Sequence, residues 1–285
     1  MRNYNLIING SKVNYYEFGN KNNQIIICFH GLAGNCLYSF SEIAVLLEKD
    51  FHLIIIDSPG HGKTSSFDKE NDYLFSALAM WYQQVIQRIT PKPFYILGHS
   101  WGADLAIHFT KHNPSAVLGV IMLDGGYTFP QNQPEMNFNY AIAGWNDYMD
   151  RSVFTDQESI FEEYKLYTKN WDKNREGYVL SLFKKKDNRF ELVTSKFTVL
   201  SIIKAFFEES FIEAYPFIKV PLLLIHATSP KNLDDARAIG ISQLNNNLND
   251  VTVISMKGGG HMLQWDEPER TAKEVKEWIM KKSGN

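Results

Sequence analysis

Short apolar runs alternate with amphipathic segments along most of the chain. The runs are rich in Ile, Leu, Val and Phe and end at polar or turn-forming residues, a pattern typical of strands that are buried on both faces. Eight runs of this kind occur, at residues 5–8, 12–18, 24–29, 52–56, 94–97, 118–123, 221–225 and 251–255. The first two flank Asn9-Gly10, a dipeptide that favours a tight hairpin turn.

Between the runs, five segments show the apolar spacing of amphipathic helices. They are residues 39–48, 74–89, 103–112, 234–244 and 268–282. Strands that alternate with helices in this way are typical of βαβ units. We therefore predict an α/β fold in which a mostly parallel, eight-stranded sheet is flanked by helices.

One segment, residues 127–215, breaks the alternation. It contains no convincing buried strand, yet it holds about half of the aromatic residues of the chain. We interpret it as a helical cap inserted into a core formed by residues 1–126 and 216–285. Most of its aromatic side chains should pack against one another. Trp145, Tyr148, Trp171 and Phe206 are candidates for the lining of a pocket.

Composition and charge narrow the class of protein. With 285 residues, 44% of them hydrophobic, the chain can bury one large core. A net charge of -3 gives no electrostatic reason to expect a nucleic-acid partner. No leader-like or membrane-spanning apolar stretch is visible, so we expect a soluble, cytoplasmic protein. Cys28 lies in an apolar run and Cys36 in a predicted loop, which favours free thiols over a disulfide or a metal site.

Gly98-His99-Ser100-Trp101-Gly102 is the strongest chemical signal in the sequence. This G-x-S-x-G motif follows a predicted strand and precedes a predicted helix, the context in which such a serine acts as a nucleophile. The glycines let the backbone bend sharply, so that the serine hydroxyl stands clear. The helix that follows directs free N–H groups towards a developing anion.

A second signal, Gly258-Gly259-Gly260-His261, follows the last predicted strand. A histidine on a glycine-rich loop at that edge of the sheet can act as a general base for Ser100. The order of serine first and histidine last, together with the downstream Trp265-Asp266-Glu267-Pro268, resembles the α/β-hydrolases. The resemblance covers nearly the whole core and weakens in the cap.

The resemblance assigns roles to two further stretches. His30-Gly31-Leu32-Ala33-Gly34-Asn35 is similar to the oxyanion loop of that family. It implies an oxyanion hole formed by the backbone N–H groups of Leu32 and Trp101, and it makes His30 a candidate pocket residue. The stretch from Asp57 to Gly62 resembles a structural turn of the family, which implies a structural role for His61.

The acid of the triad has two candidates. α/β-hydrolases commonly carry it after the strand that corresponds to residues 221–225, where this chain offers a proline and then Asp234 and Asp235. A position at the start of a helix fits a capping role for Asp234. Some members instead place the acid after the sixth strand, where Asp124 stands. We favour Asp124 and keep Asp234 as the alternative.

Ser100, His261 and Asp124 together imply acyl transfer to water. The expected substrate is a small or medium carboxylic ester or lactone; thioesters and amides share the chemistry. Two other functions remain open: a ligand-binding or signalling homologue with weak catalysis, and a cofactor-free perhydrolase or C–C hydrolase. No dinucleotide fingerprint or metal-ligand spacing is present. We expect no cofactor and no metal, and we interpret His108 and His112 as residues on the surface of a helix.

Overall fold

The structure, a computed structural model, describes residues 1–284. The strands of this part of the chain are, in order, β1 Arg2–Ile8, β2 Ser11–Phe18, β3 Gln24–Phe29, β4 Phe51–Ile56, β5 Phe94–His99, β6 Val117–Leu123, β7 Val153–Phe154, β8 Phe183–Lys186, β9 Arg189–Leu192, β10 Leu222–Ala227 and β11 Val251–Met256. Eight of them form one sheet in the order β1-β2-β4-β3-β5-β6-β10-β11. Each predicted apolar run is a strand of this sheet, which confirms the predicted fold class.

The direction of the strands determines where side chains can converge. β1 and β2 are antiparallel to each other, β2 is antiparallel to β4, and the remaining neighbours are parallel. The carboxyl ends of β3, β5, β6, β10 and β11 therefore meet at one edge of the sheet. In open α/β sheets, ligands bind outside this edge.

The helices cover both faces of the sheet. In chain order they are α1 Cys36–Leu47, α2 Phe75–Ile89, α3 Trp101–His112, α4 Phe138–Arg151, α5 Gln157–Lys165, α6 Lys173–Leu180, α7 Lys196–Glu208, α8 Phe211–Ala214, α9 Asp234–Asn247, α10 Leu263–Asp266 and α11 Pro268–Ser283. One face packs on α1 and α11, and the other packs on α2 and α3. This two-sided burial explains why the central strands are apolar throughout: every residue of β4 and β10 is buried.

The segment between β6 and β10 contains α4 to α8 and a small antiparallel sheet of order β7-β9-β8. The sequence pattern predicted a mostly helical segment here and did not predict the three short strands. β8 and β9 turn at Asp187 and Asn188, which both have positive φ, of 47° and 60°. That combination suits a tight hairpin. The strands escaped prediction because the run Phe183–Lys186 has one buried side chain followed by three exposed lysines.

Both cysteines of the chain are buried. Cys36 begins α1 rather than lying in a loop, and its buried thiol donates to the carbonyl of Ile55. Cys36 and Cys28 are both free, as predicted.

Among residues 1–284, no helix is at once long enough and apolar enough to cross a membrane.

Candidate active site

Ser100 lies in the turn that joins β5 to α3. Its backbone has φ 54° and ψ −126°, a strained conformation that costs roughly 1–3 kcal/mol for a residue with a side chain. The glycines make this turn possible. A Cβ at position 98 would overlap the backbone of Gly102, and one at position 102 would overlap the carbonyl of Phe29. The turn places Ser100 in the lining of a cavity at the carboxyl edge of the sheet.

Ser100, His261 and Asp124 form a chain of hydrogen bonds. Nδ1 of His261 lies 2.7 Å from Oδ2 of Asp124, and its Nε2 lies 2.9 Å from Oγ of Ser100. Because a carboxylate can only accept, Nδ1 carries the proton and donates to Asp124. Nε2 is then free to accept from the serine hydroxyl, which is the geometry a general base requires.

Asp124 is held firmly at the end of β6. Its side chain is 10% exposed, and its Oδ1 accepts from the backbone N–H of Ala227 at 2.9 Å and from the hydroxyl of Tyr127 at 3.2 Å. Burial alone would raise the pKa of Asp124. The hydrogen bond and charge of His261 outweigh burial and lower the pKa. The carboxylate form is therefore the stable one beside the imidazole.

Asp234, the alternative acid, is engaged elsewhere. It lies in the first turn of α9, where its carboxylate is 2.9 Å from Arg237 and 3.4 Å from Lys231. Its side chain is half-exposed. Of the two candidate acids, Asp124 is the one that contacts His261.

The loop that carries His261 is anchored on both sides. Nε2 of His99 lies 3.1 Å from the backbone carbonyl of His261. Burial, with a smaller effect of His261, lowers the pKa of His99 to about 3, so its ring is neutral and donates this bond. The N–H of Gly260 donates to Oδ2 of Asp266 at 2.9 Å. These contacts hold the loop while the His261 ring itself stays 53% exposed.

The loop after β3 lies against the serine. A Cβ at Gly31 would stand 3.1 Å from Nδ1 of His99 and 3.4 Å from Cβ of Ser100, so glycine permits the close approach. Leu32 follows Gly31, and both Leu32 and Trp101 line the same small cavity as Ser100. Trp101 directly follows Ser100 in the chain, and Leu32 belongs to the neighbouring loop, so the two backbone N–H groups come from the two loops that flank the Ser100 hydroxyl. Donors in such positions can stabilise an oxyanion.

A large cavity of about 650 Å³ opens beside Ser100 and His261. Two of the expected pocket residues, Trp145 and Tyr148, line it together with tyrosines from both the core and the inserted segment. A second cavity of about 220 Å³ shares Ser100 with the first, and its lining includes Phe206, a third expected residue. The aromatic content noted in residues 127–215 is therefore partly directed at the candidate site.

The remaining two expected pocket residues, His30 and Trp171, line neither cavity, and these expectations are corrected. His30 is fully buried: its Nε2 accepts from the N–H of Ser58 at 2.9 Å, and its Nδ1 donates to the carbonyl of Gly31 at 2.8 Å. Trp171 packs against Phe161, under the ammonium group of Lys165. Both residues lie in loops, where no periodic pattern in the sequence indicates the direction of a side chain.

Two other histidines, His61 and His108, are buried and make structural contacts. His61 donates from Nδ1 to the carbonyl of Pro59 at 3.0 Å and stacks on Trp101. His108 is buried and stacks on Phe75, which corrects its expected surface position, whereas His112 is exposed.

Residues 1–284 contain no group of three or more His, Cys, Asp or Glu side chains that could hold a metal ion.

Three functional candidates were missed from the sequence. His99 and Asp266 anchor the His261 loop, and Asp104 lies in the lining of the small cavity. His99 and Asp104 stand one residue before and four residues after Ser100. That proximity is the only signal in the sequence that could have drawn attention to them.

Comparison with known proteins places this geometry in a family. A family model described as "alpha/beta hydrolase fold" matches residues 24–268. The chain belongs to the α/β-hydrolase fold family. In this fold the G-x-S-x-G turn joins a central strand to the following helix, and Ser100 lies at that place here.

Individual relatives agree with this assignment. A serine hydrolase-like protein of Danio rerio is 31% identical over 46% of this chain and 39% of its own length. A probable serine hydrolase of Drosophila melanogaster is 32% identical over 38% of this chain and 32% of its own. The chain thus spans well under half the length of these curated relatives.

Among solved structures, a putative hydrolase from Rickettsia typhi has a TM-score of 0.78 at 19% sequence identity and covers 99% of both chains. At this identity the likeness concerns the fold. It extends over the inserted segment as well as the core, because nearly the whole of each chain is matched.

Proposed function

We propose that this α/β-hydrolase family member is a serine hydrolase that cleaves a small or medium carboxylic ester or lactone through an acyl-enzyme. The observation that carries the proposal is the hydrogen-bonded chain from Asp124 through His261 to Ser100 at the mouth of an aromatic cavity. The matched relatives that are named serine hydrolases support the same chemistry.

Each residue has a step to perform. Nε2 of His261 takes the proton of Ser100 as Oγ attacks the carbonyl carbon, and the carbonyl π electrons move to oxygen. The N–H groups of Leu32 and Trp101 stabilise that oxyanion. As the intermediate collapses, the C–O bond to the alcohol breaks and His261 returns the proton to the leaving oxygen. Asp124 holds the ring in one tautomer and stabilises the imidazolium.

In the second half of the reaction, water hydrolyses the acyl-enzyme. His261 removes a proton from a water molecule, whose oxygen attacks the acyl-enzyme and forms a second tetrahedral intermediate. The intermediate releases the carboxylic acid, and the proton passes back to Ser100. No oxidant, reductant or further reactant is required, since one ester and one water yield one acid and one alcohol.

The first experiment measures covalent labelling by a fluorophosphonate together with hydrolysis of p-nitrophenyl butyrate. Wild type should be labelled stoichiometrically at Ser100, and Ser100→Ala should lose both labelling and turnover. Asp124→Asn should lower kcat by about 10³- to 10⁴-fold, because the amide favours the wrong imidazole tautomer.

Asp234→Asn is the matched control, as it makes the same chemical change at the other candidate acid. Its kcat should stay within about twofold of wild type. A folded wild type that is neither labelled nor active would overturn the proposal. A loss confined to Asp234→Asn would move the acid to the loop after β10.

A further inference from the structure

Two cavities of different size meet at Ser100. The large one has a volume of about 650 Å³ and the small one about 220 Å³. Leu32, Ser100, Phe129, Trp145 and His261 line both, so the reacting hydroxyl lies at their junction. An ester bound with its carbonyl carbon at Ser100 would direct one substituent into each cavity.

The chemistry of the two linings differs. None of the residues around the large cavity is Asp, Glu, Lys or Arg, and five are tyrosines. The small cavity, in contrast, is lined by Asp104, Asp124 and Arg237 besides its apolar side chains. The large cavity therefore suits an uncharged, apolar group, and the small one suits a short group with a polar atom.

Two of the three charged residues around the small cavity already have partners. Asp124 is bonded to His261, Ala227 and Tyr127, as described above. The guanidinium of Arg237 donates to the carbonyls of Ser229 and Pro230 and to Asp234. Both residues are therefore already engaged in hydrogen bonds within the protein.

Asp104 is different. It lies one helical turn after Ser100 and is 4% exposed. Its Oδ2 accepts from the N–H of Gly126 at 3.1 Å. Within residues 1–284, the only other donor to this carboxyl is the backbone N–H of Asp104 itself. Burial raises the pKa of Asp104 well above its ordinary value, which favours the neutral acid with an O–H to donate.

The order of product release decides which half of the ester occupies which cavity. In an acyl-enzyme mechanism the alcohol leaves first, while the acyl group stays attached to Ser100. The large cavity reaches solvent past Leu166 and Tyr140, whose side chains are 78% and 63% exposed. The alcohol should therefore occupy the large cavity, and the acyl group should remain in the small one.

We propose that the substrate is an ester of a bulky, uncharged, apolar alcohol with a short acyl group, and that the Asp104 carboxyl donates a hydrogen bond to an oxygen within that acyl group. Asp104 is then the residue that determines acyl specificity. This inference rests on the acyl-enzyme function proposed above.

The test uses two esters of the same alcohol, 2-naphthylmethyl methoxyacetate and 2-naphthylmethyl butyrate. They differ by one oxygen in place of a methylene. The ratio of their kcat/KM values is compared between wild type and variants, so that the greater intrinsic reactivity of the methoxyacetate cancels. Asp104→Leu should lower this ratio about three- to tenfold, the loss expected for one hydrogen bond.

Matched variants separate recognition from a structural role. Asp104→Asn keeps a donor and should keep most of the ratio. Asp235→Asn alters an exposed aspartate that lines neither cavity, and it should leave the ratio unchanged. If Asp104→Leu lowers both activities equally, Asp104 supports the loop at Gly126 and recognises nothing, and the proposal is wrong.

A measurement on wild type alone keeps the proposal testable even if Asp104→Leu does not fold. Lengthening the acyl group from butyryl to decanoyl should lower kcat/KM about tenfold or more, because the small cavity has no room for it. Equal activity on both would overturn the assignment of the acyl group. Labelling of Ser100 without hydrolysis of these esters would do the same, whereas absence of labelling would overturn the acyl-enzyme function itself.

Discussion

Ser100 and Asp124 both have left-handed backbones, with φ of 54° and 45°. Ser100 directly follows β5 and Asp124 directly follows β6, and contacts with neighbouring backbone hold each turn in place. The N–H of Ser100 donates to the carbonyl of Leu123, and a Cβ at Gly125 would overlap the carbonyl of Ser100. Two strained turns are thus packed against one another, and the packing stabilises the conformation that brings Ser100 and Asp124 to one histidine.

At the scale of single residues, the ionisation of Asp104 gives a prediction about pH. Because burial raises its pKa in the folded state, the folded protein binds this proton more tightly than the unfolded chain. The contribution to stability is complete below the unfolded pKa, about 3.9, and decreases as the pH rises from there towards the raised folded value.

Asp104→Asn removes this proton linkage. We therefore expect the free energy of unfolding of Asp104→Asn, minus that of wild type, to increase as the pH rises from 4 to 8, because only wild type loses this contribution to stability. Urea unfolding at several pH values measures it, with Asp235→Asn, an exposed aspartate, as control. A difference that is constant over this range would show that Asp104 does not change its ionisation on folding.

At the scale of elements, hydrogen bonds to Asp266 connect the inserted segment with the His261 loop. Asp266 accepts from Gly260 at 2.9 Å through one oxygen. Through the other it accepts from the hydroxyl of Thr168 at 2.9 Å and the N–H of Lys169 at 2.8 Å. One buried carboxylate therefore joins the residue before His261 to the loop between α5 and α6.

Removing this carboxylate should disturb catalysis more than folding of the distant core. We expect Asp266→Ala to lower kcat about ten- to a hundredfold, because the His261 loop loses its anchor, with KM changing less. Fluorophosphonate labelling should slow in parallel. Glu269→Gln, which alters an exposed acid three residues later, should leave both unchanged. Normal kcat in a folded Asp266→Ala would contradict an anchoring role.

On the scale of the whole molecule, the large cavity arises between the core and the inserted segment. Tyr38 comes from α1 in the core, while Tyr148 and Tyr164 come from α4 and α5. Their rings contact one another, with Tyr38 and Tyr164 edge-to-face at 5.8 Å. The cavity exists only when both parts of the chain are folded together.

The uncharged lining predicts discrimination against charged substrates. We expect 2-naphthylmethyl butyrate to be hydrolysed with a kcat/KM about tenfold or more above that of the same ester with a sulfonate on the ring. The anion would lose hydration without gaining a cationic partner. Steady-state kinetics with both esters checks this, and a preference for the sulfonate would show that a cation reaches the cavity.

The sequence by itself determined the sheet, its flanking helices, Ser100 and His261. These follow from signals that are local in the chain: unbroken apolar runs, helical spacing, and glycines around a serine or before a histidine. Strand β8 was not predicted because its exposed lysines lack this local apolar pattern.

Only the tertiary structure decided that Asp124 rather than Asp234 contacts His261, that His30 and Trp171 reach neither cavity, and where Asp104 and Asp266 lie. These depend on contacts between residues far apart in the chain, as the separation of 137 positions between Asp124 and His261 illustrates. A linear pattern records which side chains are available. Which of them meet is determined by how strands are ordered in the sheet and how an inserted segment packs over its edge.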